Sequence, residues 1–311
     1  MATMGAGARI TLNNILYLTD FSQPSEAALP FAVGIARNYG ATVRALYVLP
    51  ASSYAYTPPE LRAAADGLDE RLAQTGMHEV DSQLSGVAHT TIIARGGGIW
   101  PTIEQAIKDY DVDLIVLGTH GRSGVQKLLL GSVAEEIVRR SPVPVLTIGP
   151  KVCGTANKDA RFRHVLFATD FESESRVAAP FAISFAEDNQ ADLLLLHVLW
   201  DEQSKEERLG EGRVAEAVRE LHAMIPKDWD LRCRPEAVVE YGEPSRRIVE
   251  VAKQRGVDLI VLGAREAQGH IAEATHLERT TAHRVLIHAD CPVLSVTNWE
   301  SHRKIAESAS A

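Results

Sequence analysis

The chain has 311 residues, 45% of them apolar and 23% charged, ordinary values for a globular protein and enough chain for two domains of about 150 residues each. Lys and Arg number 32 against 41 Asp and Glu, and the net charge of −9 argues against non-specific nucleic-acid binding, which needs clustered cations against phosphate. The cysteines Cys153, Cys233 and Cys291 form no CxxC pair, so neither a disulfide framework nor a zinc ribbon is expected, and a cytoplasmic location is; no secretory leader or membrane-spanning run is expected either, the most apolar stretch, Ala191–Trp200, being short and broken by Asp192 and His197.

In chain order, Asn14–Leu18 is a short apolar run that predicts a strand. Pro24–Tyr39 carries Ala28, Phe31, Ala32, Ile35 and Ala36 at helical spacing. Thr42–Leu49 predicts a second strand and Pro59–Leu84 a long helix. Thr90–Ala94 reads as strand, Ile99–Tyr110 as helix and Asp113–Leu117 as a strand apolar on both faces. Val133–Arg140 predicts a helix and Val143–Ile148 a last strand. Apolar strands separated by helices indicate a parallel sheet covered on both sides. The expected unit is an open α/β sandwich of five strands, in which ligands sit beyond the carboxyl ends of the strands, near the switch in strand order.

The chain then repeats itself. Asn14–Leu49 aligns without a gap on His164–Leu199: Leu16, Thr19, Asp20, Phe21, Pro30 and Phe31 recur as Leu166, Thr169, Asp170, Phe171, Pro180 and Phe181. VDLIVLG occurs at Val112–Gly118 and again at Val257–Gly263, and the SPVPVL of 141–146 is answered by the DCPVL of 290–294. A period of half the chain means a duplicated domain. The expected division is 1–150, a polar linker at 151–162, a second domain at 163–298 and a loose tail at 299–311. The charged stretch Asp201–Arg219 reads as a solvated helix face.

The chemistry is concentrated after the strand Asp113–Leu117. There Gly118, Thr119, His120 and Gly121 are followed by Arg122, Gly124 and Lys127, and then by Gly131, Ser132 and Val133 at the start of a helix. Glycines let backbone amides approach an anion, a helix N-terminus adds unpaired donors and partial positive charge, and the two cations add full charge. Such a set suits a polyphosphate, although neither GxxxxGK[ST] nor GxGxxG occurs. Ser132-Val-Ala-Glu135 also reads as a capping box, and loop glycines also serve turns, so the loop by itself leaves both readings open.

The spacing Gly118-x2-Gly121-x9-Gly131-Ser132, with its flanks GTHGRSG and LLLGSVAEEIVRRSPVPVLTI, resembles the nucleotide loop of the universal stress protein family. NILYLTDFS and HVLFATDFE resemble that family's first strand, which ends in an Asp. The resemblance covers both halves and implies a tandem, ATP-binding member built from two Rossmann-like open sandwiches, each a five-stranded parallel sheet with helices on both faces. It implies that Asp20 and the backbone at Val48 hold the adenine of ATP, with or without Mg2+. Gly118, Gly121, Gly131 and Ser132 then hold ribose and phosphates, with Thr119, His120 and Val133 adjacent. It further implies that the terminal strands of the two halves pair inside the chain, and that the whole chain forms a homodimer. Asp20 has a second reading, as a cap for the first helix.

The second half keeps Asp170 and Val198 but departs at the loop. Glu266 stands at the second glycine position and Arg279 and Thr280 stand where the first half has Gly131 and Ser132, with three residues more between. This half is expected to be degenerate for triphosphate. His270, His276, His283 and His288 gather near Cys291, but their spacings share no helical face and no metal site is expected. No catalytic nucleophile is distinguishable. The readings that follow are an ATP-binding stress and signalling regulator with unidentified protein partners, a slow ATPase with His120 as its candidate base, and a nucleotide-free interaction or chaperone-like module.

Overall fold

The computed structural model describes residues 10–49, 59–119, 130–152, 161–200, 207–226, 231–232, 235–264 and 280–297, with the backbone alone at 59–65, 174 and 207–211. In the first half these form β1 (Asn14–Leu18), α1 (Gln23–Tyr39), β2 (Thr42–Leu49), α2 (Pro59–Gln83), β3 (His89–Arg95), α3 (Ile99–Asp109), β4 (Leu114–Gly118), α4 (Ser132–Arg140) and β5 (Val145–Ile148). The second half repeats the order: β6 (His164–Thr169), α5 (Ser173–Asn189), β7 (Asp192–Leu199), α6 (Glu207–Ala223), β8 (Glu236–Tyr241), α7 (Pro244–Gln254), β9 (Leu259–Gly263), α8 (Thr281–His288) and β10 (Val293–Val296). Every element expected in the first half is present, with ends displaced by one or two residues.

The strands make one continuous sheet of ten, in the order β3-β2-β1-β4-β5-β10-β9-β6-β7-β8. Within each half all pairs are parallel. The halves meet at one antiparallel pair, β5 with β10, where Leu146 lies opposite Leu294. Thr147 Oγ1 donates to the Val293 carbonyl (3.1 Å) and Ser295 Oγ to that of Val145 (3.2 Å), so buried hydroxyls tie the seam. The terminal strands therefore pair inside the chain.

Side chains alternate across a strand, and this sorts the core into two layers. Ile15 and Tyr17 of β1 join α1, α2 and α5 on one face, while Leu16 and Leu18 join α3, α4, α7 and α8 on the other. α1 and α5 also bridge the halves. Phe162 lies 6.2 Å from Phe31 and 5.7 Å from Phe185, centroid to centroid, and Phe162 and Val152 are buried. Both ends of the expected linker are thus anchored in the core. On α6, Ala217 and Leu221 are buried beneath a charged outer face.

The repeated VDLIVLG carries a second message. Asp113 accepts from the amides of Asn13 (2.7 Å) and Asn14 (3.0 Å), and Asp258 from those of Arg163 and His164 (2.8 to 3.1 Å). In each half this carboxylate holds the start of the central strand to its neighbour. Burial pushes the Asp258 carboxyl above the usual carboxylate range, against the pull of those two amides. A raised folded-state value means that the group's contribution is fullest at low pH and declines as pH rises through that value. Asp258→Asn is therefore expected to keep native stability at pH 7, whereas Asp258→Ala, which strands the amides, is expected to cost about 1 kcal/mol in urea unfolding. Equal losses in both variants would show that the charge itself is what the amides need.

Candidate functional site

The central strands β1 and β6 both lead into Thr-Asp-Phe. Thr19 Oγ1 accepts from the Phe21 amide (3.0 Å), and Asp20 Oδ1 accepts from the amide and hydroxyl of Ser22 (3.1 and 2.5 Å). The second turn shares Thr169 Oγ1 accepting from the Phe171 amide (2.9 Å) and Asp170 Oδ1 from the Glu172 amide (3.1 Å). Asp170 also accepts from the Ser175 hydroxyl, however, and Glu172, at the place of Ser22, makes no side-chain cap bond on α5 among the described residues. Phe21 is left-handed at φ 59°, and Phe171 at φ 66°. A bulky residue at positive φ costs roughly 1–2 kcal/mol, and packing offsets it: Phe21 lies 4.6 Å from the Tyr47 ring and Phe171 4.3 Å from that of His197. The strain turns the chain sharply from strand into helix and holds the aspartate at the turn. Ser22, not Asp20, caps α1, accepting from the Ser25 amide. Asp20 braces that cap through Ser22.

Beside this turn a cavity of about 350 Å³ opens at the carboxyl ends of β1, β2 and β4. Asp20, Val48, Gly118, Thr119, Gly131, Ser132 and Val133 all line it. His120 and Gly121 lie outside the described residues, as do Arg122 and Lys127. Sequence reasoning missed the apolar wall, to which Leu18, Leu46, Ile99 and Ile103 contribute. The i, i+4 pair on α3 and the alternation of β1 and β2 were the available signals.

Several of these residues are engaged in ways their spacing did not reveal. The Gly131 amide donates to the Thr119 carbonyl at 2.8 Å, pinching together the two ends of the loop. Thr119 is buried, and its amide and hydroxyl both donate to the Ile148 carbonyl (2.9 and 3.3 Å). Gly118 has a steric reason: a Cβ there would stand 2.6 Å from the backbone C and O of Pro24 and 2.8 Å from the Ser25 nitrogen. The strand end and the start of α1 touch backbone to backbone.

The capping box, one of the two readings open for Ser132, is not formed. Gly131 is the cap of α4, at φ −63° and ψ 143°, and Ser132 is the first helical residue. The Glu135 amide bonds to the Gly131 carbonyl, which starts the helix one residue earlier than the box requires. Among the described residues no side chain caps α4, nor α3 at Gly98. Both helices begin at the cavity, with Ile99 of α3 and Ser132 and Val133 of α4 on its wall.

In the second half a cavity of about 220 Å³ occupies the equivalent place, lined by Thr169, Asp170, Ser175, Leu196 and Val198 among others. Glu266 and Arg279 lie outside the described residues, and Thr280 caps α8 through its hydroxyl. His283 is buried on α8, while His270 and His276 lie outside the description. Among the described residues no group of three or more His, Cys, Asp or Glu is placed to hold a metal. Burial pushes the Cys291 thiol up to about 12, so it is protonated at neutral pH. No helix among the described residues is long and apolar enough to cross a membrane.

Comparison with known proteins adds four findings. The model of the universal stress protein family matches residues 11–149 and 161–297. Universal stress protein MJ0531 of Methanocaldococcus jannaschii is 32% identical over 139 residues, covering 43% of this chain and 80% of that protein. The crystal structure of a universal stress protein from Archaeoglobus fulgidus superposes with a TM-score of 0.67 at 21% identity, over 93% of this chain and 99% of that one. A functionally unknown protein, PA1789 from Pseudomonas aeruginosa, superposes at 0.64 with 19% identity, over 96% and 97% of the two chains. At these identities the superpositions speak for the fold alone.

Proposed function

The chain belongs to the universal stress protein family, and from that premise we propose that its first half binds ATP and that the bound nucleotide, rather than fast turnover, is what the protein uses, as a cytoplasmic stress and signalling regulator. The observation that carries this reading is the cavity at the carboxyl edge of β1, β2 and β4. Its wall combines an aspartate held by a strained turn, an apolar slot and the start of α4, whose cap residue is a glycine with no side chain to bond its amides. Ring burial suits the slot formed by Leu18, Leu46 and Ile103, Asp20 accepts from a ring amine, and the amides at the start of α4 and of the glycine run before it suit phosphate oxygens.

The domain division enters the proposal too. Residues 1–150 form the nucleotide-binding unit and 163–298 a second unit that completes the sheet. Pairing of β5 with β10 does within one chain what a dimer axis does between two single-domain chains.

The test is equilibrium titration of the full chain with ATP. One tight ATP per chain is expected, with hydrolysis far below the ~10 s⁻¹ typical of enzymes. Turnover near that rate, lost in His120→Ala, would favour an enzyme. A chain that binds no ATP would favour the nucleotide-free interaction module. A sharper result is expected for Asp20→Asn. The amide oxygen still braces Ser22, so the fold is kept, but the charge-assisted bond to the ring amine is lost and ATP affinity falls about tenfold. The same change at Asp170 is expected to leave ATP affinity unaltered, and equal losses from the two would place the nucleotide in both halves.

A further inference from the structure

The two cavities share their first wall and differ at the helices that face them. Thr19, Asp20, Ser25, Leu46 and Val48 of the first are matched by Thr169, Asp170, Ser175, Leu196 and Val198 of the second. In the first, the facing helices α3 and α4 begin at Gly98 and Gly131, and among the described residues no side chain caps either. In the second, both facing helices are capped from within. Thr280 accepts from the His283 amide at the start of α8 (3.2 Å), whose Thr281 and Ala282 line the cavity. Glu243 caps α7, whose first residue Pro244 also lines it, and accepts from the amides of Ser245 (3.3 Å) and Arg246 (2.8 Å).

Glu243 thus supplies a carboxylate where an incoming anion would find open amides. Burial pushes this carboxyl up, the Ser245 hydroxyl and the two amides pull it down, and the net direction is down, so it is ionised at neutral pH. Among the described residues, the cations near Glu243 are engaged as well. Arg284 of α8 donates to Glu243 (3.3 Å), Arg247 to Glu240 and Glu250 (2.5 Å each), and Arg246 to Glu250 (2.7 Å). With Asp170 on the cavity wall and the Glu243 carboxylate next to the lining residue Pro244, a phosphorylated ligand finds the first amides of α7 already bonded and a second negative charge close by. The cavity, at about 220 Å³, is also smaller than the one of about 350 Å³ in the first half.

We propose that the second cavity binds an uncharged, flat, N–H-bearing heterocycle, a nucleobase or a nucleoside without phosphate, and that Glu243 turns phosphorylated ligands away. The inference rests on the reading of the Asp20 wall as a heterocycle slot, which Asp170 repeats. It makes the two halves a matched pair, one for the phosphorylated ligand and one for the dephosphorylated ligand.

The experiment is calorimetric titration of adenosine and of AMP into the full chain preloaded with saturating ATP, so that the first cavity is occupied. One adenosine per chain is expected, with AMP at least tenfold weaker. In Glu243→Gln, whose amide oxygen still caps α7, adenosine affinity stays and AMP gains about tenfold. In Asp170→Asn adenosine weakens about tenfold, with thermal melts confirming that both variants fold. Equal affinity for AMP and adenosine in the native chain, no adenosine bound to the ATP-loaded chain, or an unchanged ratio in Glu243→Gln would each overturn the proposal. If the chain binds no ATP, the reading of the first half fails alone. The second is then decided by adenosine titration of the nucleotide-free chain, where a loss in Asp170→Asn but not in Asp20→Asn supports it and the converse defeats it.

Discussion

Gly121→Glu is expected to abolish ATP binding at micromolar protein while leaving the thermal melt unchanged. The substitution writes into the first loop the residue that the second carries at Glu266. Two unit charges about 4 Å apart interact by about 4 kcal/mol at an effective dielectric of 20. If half of that survives compensation by Arg122 and Lys127, about 2 kcal/mol remains, a thirtyfold loss of affinity, and the full term gives nearer a thousandfold. The fold is insulated because the loop is closed at its base by the bond from the Gly131 amide to the Thr119 carbonyl. Calorimetry with ATP, paired with a circular dichroism melt, checks both halves of this expectation. Unchanged affinity would mean that Gly121 serves the turn and that phosphates lie elsewhere.

Gly118→Ala is expected to act in the opposite way, on stability first. Its new methyl would stand 2.6 to 2.8 Å from three backbone atoms of Pro24 and Ser25. No rotamer relieves a clash with backbone, so β4 and the start of α1 must part. Overpacking of this kind costs typically 1–3 kcal/mol, and a backbone partner puts it near the upper end, about 3 kcal/mol. The urea midpoint is expected to fall accordingly at unchanged slope. Because Tyr17 Oη donates to the Ser25 carbonyl (2.8 Å) and Thr19 Oγ1 shares a hydrogen with Ser25 Oγ (3.2 Å), the displacement reaches the turn that holds Asp20. Weaker ATP binding is therefore expected as a secondary effect. Native stability in Gly118→Ala with lost ATP binding would return this glycine to a purely ligand-facing role.

These two glycines show how legible the site was. They belong to the same run, and their spacing suits both to the same role, close approach of backbone to phosphate. Gly118 has another reason as well, since the atoms it makes room for belong to Pro24 and Ser25, more than ninety residues earlier. Nothing in the spacing of the loop carries that information. Ser132 teaches the same lesson in reverse. Its capping-box pattern is local and correct as a pattern, yet the bond between Gly131 and Thr119 fixes where α4 starts and leaves Ser132 inside the helix. By sequence Asp20 suits either a cap or a ligand residue. It braces the cap through Ser22 and also lines the cavity, because the left-handed Phe21 lets one side chain serve both.

What the amino-acid sequence determined by itself is whatever follows from period and repetition. The duplication, the alternation of strand and helix, the burial of both sheet faces and the position of the cavity at the strand ends were all readable from residues close in the chain. Hydrophobic period is a property of neighbours, and a repeated pattern names its own fold twice. What the tertiary structure alone decided depends on contacts between distant residues. The clamp of Asp113 on Asn13 and Asn14, the clash that fixes Gly118, the seam of Leu146 on Leu294 and the reach of Arg284 to Glu243 all join segments separated by tens of residues or more. Side-chain types announce that such groups need partners, but only the packing of helices on a finished sheet brings a particular partner within hydrogen-bond distance.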